Sequence, residues 1–188
     1  MDKRGRPRYH DAMSIIDDII KFNAGFVRDK KYIPYISGKF PKKKLAILSC
    51  MDTRLTTLLP AALNLGNGEA KIIKNAGAII SHPFGSVMRS LLVAVYGLGV
   101  QEIMVIGHTD CGMDKLDLSD MIEKMIRRGI PRAAISDDLG DWLHGFDGTT
   151  ESIAASVKMI RTHPLIPTDV TVRGFLMDIT TGGICEIG

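Results

Sequence analysis

Three short apolar runs recur through the middle of the chain: Leu45-Ala46-Ile47-Leu48, the Ile72-Ile73 pair within Lys71-Ile72-Ile73-Lys74, and Ile103-Met104-Val105-Ile106. Each is too short for a helix and has the length of a buried strand. Stretches of helical period separate them, over residues 56–65, 85–96 and, after the third run, 117–128. Strand and helix in alternation fold as α/β, with a mostly parallel central sheet flanked by helices. Turn residues punctuate the pattern: Gly66-Asn67-Gly68, Gly97 and Gly99, then Gly129 and Pro131. Residues 150–163 have helical spacing in Ile153, Val157 and Ile160, with Thr149 or Thr150 as the expected cap and Pro164 as the stop. Residues 170–178 and 183–187 read as two closing strands joined through Thr181-Gly182, which predicts an antiparallel pair at one sheet edge. Residues 137–148, with the single tryptophan Trp142, read as irregular.

Ahead of the first strand, residues 11–26 place Ile15, Ile16, Ile19, Ile20 and Phe22 near helical spacing, the pattern of an amphipathic helix. A loop with Pro34, Pro41 and a lysine run follows. The expected organisation is a basic tail, helix and loop over residues 1–44, then one α/β domain over 45–188. Four basic residues lie in residues 1–8, but no aromatic residues interleave with them, so they read as a solvated terminus and not a nucleic-acid arm.

With 188 residues the chain can bury a substantial core, and 45% hydrophobic against 24% charged residues is globular composition. A net charge of +3 implies no polyelectrolyte partner. The most apolar stretch, 91–107, is broken by Gly97, Gly99, Gln101 and Glu102 and does not read as a membrane span. No apolar leader core follows the basic start. Three cysteines cannot make a disulfide framework and fit a reducing, cytoplasmic setting.

Two of those cysteines carry the chemistry. Cys50-Met51-Asp52-Thr53-Arg54 leaves the first strand, and Gly107-His108-Thr109-Asp110-Cys111-Gly112 leaves the third. Ligands of α/β folds gather at the carboxyl ends of strands, so the two motifs meet if these strands are neighbours. Cys50, His108 and Cys111 then offer two thiolates and an imidazole, a donor set suited to Zn2+, with a fourth position left for water. Zinc lowers the pKa of such a water from about 15.7 to about 7–9. Residues two apart in an extended segment share a side, so Arg54 can hold Asp52 off the metal, free to orient a zinc-bound hydroxide. If that pair opens, Asp52 is the fourth ligand of a closed site. The bland alternatives are a closed structural zinc site or two unrelated buried cysteines.

Cys50-x-Asp52-x-Arg54 followed by Gly107-His108-x-x-Cys111-Gly112 resembles the β-class carbonic anhydrases, in particular their small prokaryotic and archaeal branch. The similarity extends through Asn75-Ala76-Gly77, the helix at 86–98 and the strand and turn at 174–183. The resemblance implies reversible hydration of carbon dioxide to bicarbonate and a proton. It implies Cys50, His108 and Cys111 as zinc ligands and Asp52 and Arg54 as the catalytic dyad. It also implies a homodimer or dimer-based oligomer in which the N-terminal helix packs on the partner. Plant-type members have a glutamine upstream of the first cysteine; residues 39–44 here have none.

Lesser candidates have two readings each. Asn75-Ala76-Gly77 shapes the pocket through its backbone, or is a plain strand-to-helix turn. His82 is a candidate proton shuttle with an ordinary pKa of about 6.5, or a surface histidine before Pro83. His10, His144 and His163 read as surface residues, Cys185 as a buried core thiol, and Asp110 as a turn or cap residue. Two other functions stay open: hydrolysis of carbon disulfide or carbonyl sulfide by the same site, and a non-catalytic zinc-stabilised interaction protein.

Overall fold

The computed structural model describes residues 14–114, 116–136 and 138–187. Two compact units divide the chain at Ser37 and Gly38. In the first, helix α1 (Ile15–Arg28) begins at Ser14, whose hydroxyl accepts the Asp17 amide while the Asp17 carboxylate accepts the Ser14 amide. This reciprocal cap satisfies two otherwise orphaned donors. The helix therefore starts later than residue 11, and residues 1–13, including the basic tail and His10, lie outside the described residues. Ile15, Ile16, Ile19, Ile20 and Phe22 are all 61–80% exposed. A single-turn 3₁₀ helix at Ile33–Tyr35 brings the Tyr35 ring to 6.2 Å from that of Phe26.

In the second unit, five strands form one sheet: β1 (Leu45–Cys50), β2 (Ala70–Asn75), β3 (Glu102–His108), β4 (Thr171–Met177) and β5 (Ile184–Ile187). Their order is β2-β1-β3-β4-β5, with only the β4–β5 pair antiparallel. The first three strands are the three apolar runs, and the antiparallel edge is the closing pair.

One sheet face packs Ala46, Leu48, Ile103 and Val105 with Met88 and Leu91 of α3 (Ser86–Leu92) and Ile153, Val157 and Ile160 of α6 (Thr149–Arg161). The other packs Ile47, Ile106, Phe175 and Met177 with Leu55 and Leu59 of α2 (Leu55–Ala62). Both faces are covered, which is why β1 reads as a continuous apolar run and not as an alternation. Helix α6 lies close on the sheet because Gly107 and Gly174 lack side chains. A Cβ at Gly107 would sit 2.8 Å from Ile153 Cδ1, and one at Gly174 2.7 Å from Ile153 Cγ2.

Several expectations are corrected. Helix α2 ends at Ala62, not 65, because Asn64 turns into the left-handed region at φ 51°. Helix α3 runs on as a π turn over Val93–Gly97. Helix α4 spans Leu118–Arg127, capped by Asp117. The stretch read as irregular contains a short helix α5 (Leu139–Leu143). Neither threonine caps α6; Gly148, at φ 105°, enters it with no side-chain cap. His163 is buried, edge-on to Phe84 at 5.2 Å, because the turn after α6 folds it inward. Cys185 is exposed, because β5 is the edge strand of the sheet and lies at the margin of the α6 layer. No described helix is long and apolar enough to cross a membrane.

Candidate active site and metal centre

The chain runs from β1 to β2 on one side and returns to β3 on the other side of β1. The crevice at such a reversal, beyond the carboxyl ends of the strands, is where α/β folds place ligands. Cys50 is the last residue of β1 and His108 the last of β3, and these strands are in register up to the pair Ser49 and Ile106. Cys111 follows in the loop. The topology thus joins motifs separated by more than fifty residues.

The ligand atoms of Cys50, His108 and Cys111 all lie within 4.8 Å of one another, and all three residues are buried. The two Sγ atoms are 3.9 Å apart. That is far beyond a disulfide bond of about 2.05 Å. It matches two sulfurs about 2.3 Å from one tetrahedral ion, which stand roughly 3.8 Å apart. His108 is fully buried; its Nδ1 lies 2.8 Å from the Thr109 carbonyl oxygen. Donation there fixes the tautomer and leaves the Nε2 lone pair toward the cysteines. Nε2 is buried with no hydrogen-bond partner among the described residues, and an orphaned polar atom of this kind calls for a missing partner. The residues fit a zinc-type ion.

Electrostatics agree. The Cys50 thiol is lowered to about 4, chiefly by the Cys111 thiol, with burial opposing and His108 and the backbone N–H groups of Asp52 and Gly77 assisting. Cys111 is pushed up by the Cys50 thiolate and by burial. His108 is raised, first by Cys50. The first proton leaves the pair easily and the second is held, as expected of neighbouring thiols without a cation between them.

Arg54 and Asp52 form the predicted pair. Arg54 Nε donates to Asp52 Oδ1 at 3.0 Å, Nη2 to Oδ2 at 2.8 Å, and the Arg54 backbone N–H to Oδ1 at 2.8 Å. These bonds hold the Asp52 carboxyl down at about 2, with Arg54 the largest cause and burial opposing. Oδ2 also stands 3.9 Å from His108 Nε2. The carboxylate therefore lies between the guanidinium and the ligand cluster.

A cleft of about 480 Å³ opens over these residues; Cys50, Asp52, Arg54 and Cys111 line it together with Met51, Ala76 and Met113. Thr53 and Gly112 complete the lining, so Met51, Ala76 and Met113 give the wall its apolar part. Asn75 holds the turn that presents Ala76: its Nδ2 donates to the Ile79 carbonyl at 2.6 Å, and its own carbonyl accepts the Met51 amide. Gly77 takes φ 77° in that turn, and of the three residues Ala76 lines the cleft. His82 is exposed, accepts the Phe84 amide on Nδ1 at 3.0 Å, and is not among the cleft-lining residues. Sequence reasoning missed Asp110, whose carboxylate accepts Arg54 Nη1 at 2.8 Å. Its place between two ligands was the available signal.

The carbonic anhydrase family model matches residues 45–184. A Bacillus subtilis protein named "Putative carbonic anhydrase YtiB" is 51% identical over 176 residues, covering 90% of this chain and 94% of its own. The crystal structure of β-carbonic anhydrase isoform I from Trichomonas vaginalis aligns with a TM-score of 0.84 at 34% identity, covering 93% of this chain and 98% of that one. A carbon disulfide hydrolase of Acidithiobacillus thiooxidans is 28% identical over 152 residues, 74% of this chain and 75% of its own.

Proposed function

The chain belongs to the β-carbonic anhydrase family and is a carbonic anhydrase, and on that premise we propose how its residues carry out the reversible hydration of carbon dioxide to bicarbonate and a proton. Cys50, His108 and Cys111 hold Zn2+ through two thiolates and the Nε2 lone pair. Bound zinc supplies Lewis acidity that makes hydroxide available near neutral pH. Asp52 accepts the O–H of the attacking water on Oδ2 and turns its lone pair toward the substrate. Arg54 keeps that carboxylate ionised and forked to its guanidinium. Met51, Ala76 and Met113 offer a small, linear, apolar substrate an apolar wall. The observation that carries this reading is the position of Asp52 Oδ2, 3.9 Å from the orphaned His108 Nε2 yet forked to Arg54. A structural metal site has no use for such a carboxylate.

The same reading places the enzyme in the cytoplasm, where Cys50 and Cys111 remain free thiols. It acts without membrane or nucleic-acid partners and as a homodimer or dimer-based oligomer. The apolar stripe of α1 supports the last point, since six exposed large apolar residues on one helix, the five above and Val27, call for a covering surface.

Stopped-flow hydration of carbon dioxide by zinc-loaded protein at alkaline pH tests the proposal. A rate well above buffer, lost on chelation and restored by zinc, is expected; no rate above buffer sinks it. A second reading, hydrolysis of carbon disulfide or carbonyl sulfide, is favoured by the similarity to the carbon disulfide hydrolase. Hydrogen sulfide release without carbon dioxide turnover would select it.

A further inference from the structure

Asp110 lies on the loop between His108 and Cys111, with its side chain 82% exposed. Exposure of that degree usually means a solvated carboxylate with no fixed partner. Here the backbone is in the left-handed region, at φ 54°, which aspartate reaches more readily than most residues. That conformation turns two acceptors of one residue onto one guanidinium. Arg54 Nη1 donates to Asp110 Oδ2 at 2.8 Å and Nη2 donates to the Asp110 carbonyl oxygen at 2.9 Å. Asp52 occupies the adjacent edge through Nε and Nη2. A guanidinium is planar and presents its donors in a rigid fork. Fixing one edge therefore fixes the orientation of the other.

We propose that Asp110 is a positioning residue: it clamps Arg54 along the edge next to Asp52 and so keeps Asp52 forked to Arg54. The proposal rests on the reading of Asp52 as the group that orients the attacking water. Arg54 is a long side chain, 43% exposed. Without the clamp it gains rotamers that break the fork, and Asp52 Oδ2, already 3.9 Å from His108 Nε2, loses the Arg54 donor that competes with the ligand cluster for it. The clamp also ties the dyad to the loop that carries Cys111.

Two variants test this. Asp110→Gly adopts the positive φ without strain and removes the carboxylate. Asp110→Asn keeps an acceptor for Nη1 and removes the charge. Crystal structures of the zinc-loaded variants, with kcat and KM for carbon dioxide hydration, are the readouts. In Asp110→Gly, the Asp52–Arg54 fork should be broken in the crystal and kcat should fall about tenfold with little change in KM, the size expected for losing one hydrogen bond to a charged group. Asp110→Asn should retain the fork and at least about a third of kcat. An intact fork in Asp110→Gly overturns the proposal. So does a rise in activity in both variants, which would mean that Asp110 only competes with Asp52 for the charge of Arg54. If the parent protein hydrates no carbon dioxide, the functional reading fails on its own, and the crystallographic comparison still decides whether Asp110 holds the fork.

Discussion

Asp52→Asn is the substitution that most directly tests the site. Asp52 Oδ1 accepts two donors from Arg54, the backbone N–H and Nε, whereas Oδ2 accepts Nη2 alone and faces His108 Nε2. An asparagine will therefore set its carbonyl oxygen in the Oδ1 position, where two donors wait. Its NH₂ group then takes the Oδ2 position, against the Nη2 donor and toward the ligand cluster. One charge-assisted hydrogen bond becomes a donor–donor contact, and the acceptor proposed for the attacking water is gone. Loss of one hydrogen bond to a charged group from a transition state costs roughly one to two decades in rate. The expected outcome is kcat/KM lower by about 10- to 100-fold in stopped-flow hydration, with zinc content by atomic emission unchanged, since Asp52 is not among the three ligands. The pH dependence sharpens the test. The folded carboxyl is held below its ordinary 3.8, at about 2, so its contribution to stability is present above about pH 4 and fades as pH falls toward 2. Asp52 is ionised throughout the working range, and the deficit should be flat across neutral and alkaline pH. A variant within twofold of the parent, or a deficit that appears only in acid, would refute the argument.

Gly107→Ala forces a Cβ to within 2.8 Å of Ile153 Cδ1 and 3.0 Å of Thr149 Cγ2, an overpacking expected to cost about 1–3 kcal/mol in urea unfolding; an unchanged midpoint would mean that α6 does not rest tightly on β3. Ile19→Lys combined with Phe22→Lys places charge on the exposed stripe of α1 and should convert the oligomer to monomers in sedimentation equilibrium with the far-UV spectrum retained. An unchanged mass would remove α1 from the interface.

Strands β1 and β3 were legible because each is an apolar run largely buried on both faces, and the site was legible because its residues follow those runs directly. That β1 and β3 are neighbours was an inference from fold class; no local pattern in either strand states it. Burial of particular side chains was harder to read. Cys185 sits in an apolar sequence but on an edge strand, while His163 looks polar and solvated but is turned under Phe84. Both depend on what packs over a residue, which its neighbours in sequence do not encode. Asp110 was read as a turn residue, and it is one, at φ 54°. Its bond to Arg54, 56 residues away in sequence, arises only when the two loops meet. The entry to α6 failed for a similar reason: Gly148 donates its amide to Asp114 Oδ1 from a distant loop, so the helix starts where that contact sets it and not where a threonine would cap it.

The donor set also bears on which partner Asp52 takes. Two thiolates 3.9 Å apart repel by about 4 kcal/mol at an effective dielectric of ~20, which is why only Cys50 is lowered while Cys111 is pushed up. A monovalent cation would leave the pair anionic. A dication neutralises both thiolates, and with a neutral imidazole the centre carries no net charge. The Asp52 carboxylate therefore sees little net attraction from the metal centre as a whole, whereas Arg54 offers it a full positive charge and three donors. Three imidazoles in place of the Cys-His-Cys set would leave a net charge of +2 and draw Asp52 across. With two thiolates the balance lies with Arg54, and in the proposed arrangement Asp110 orients that guanidinium.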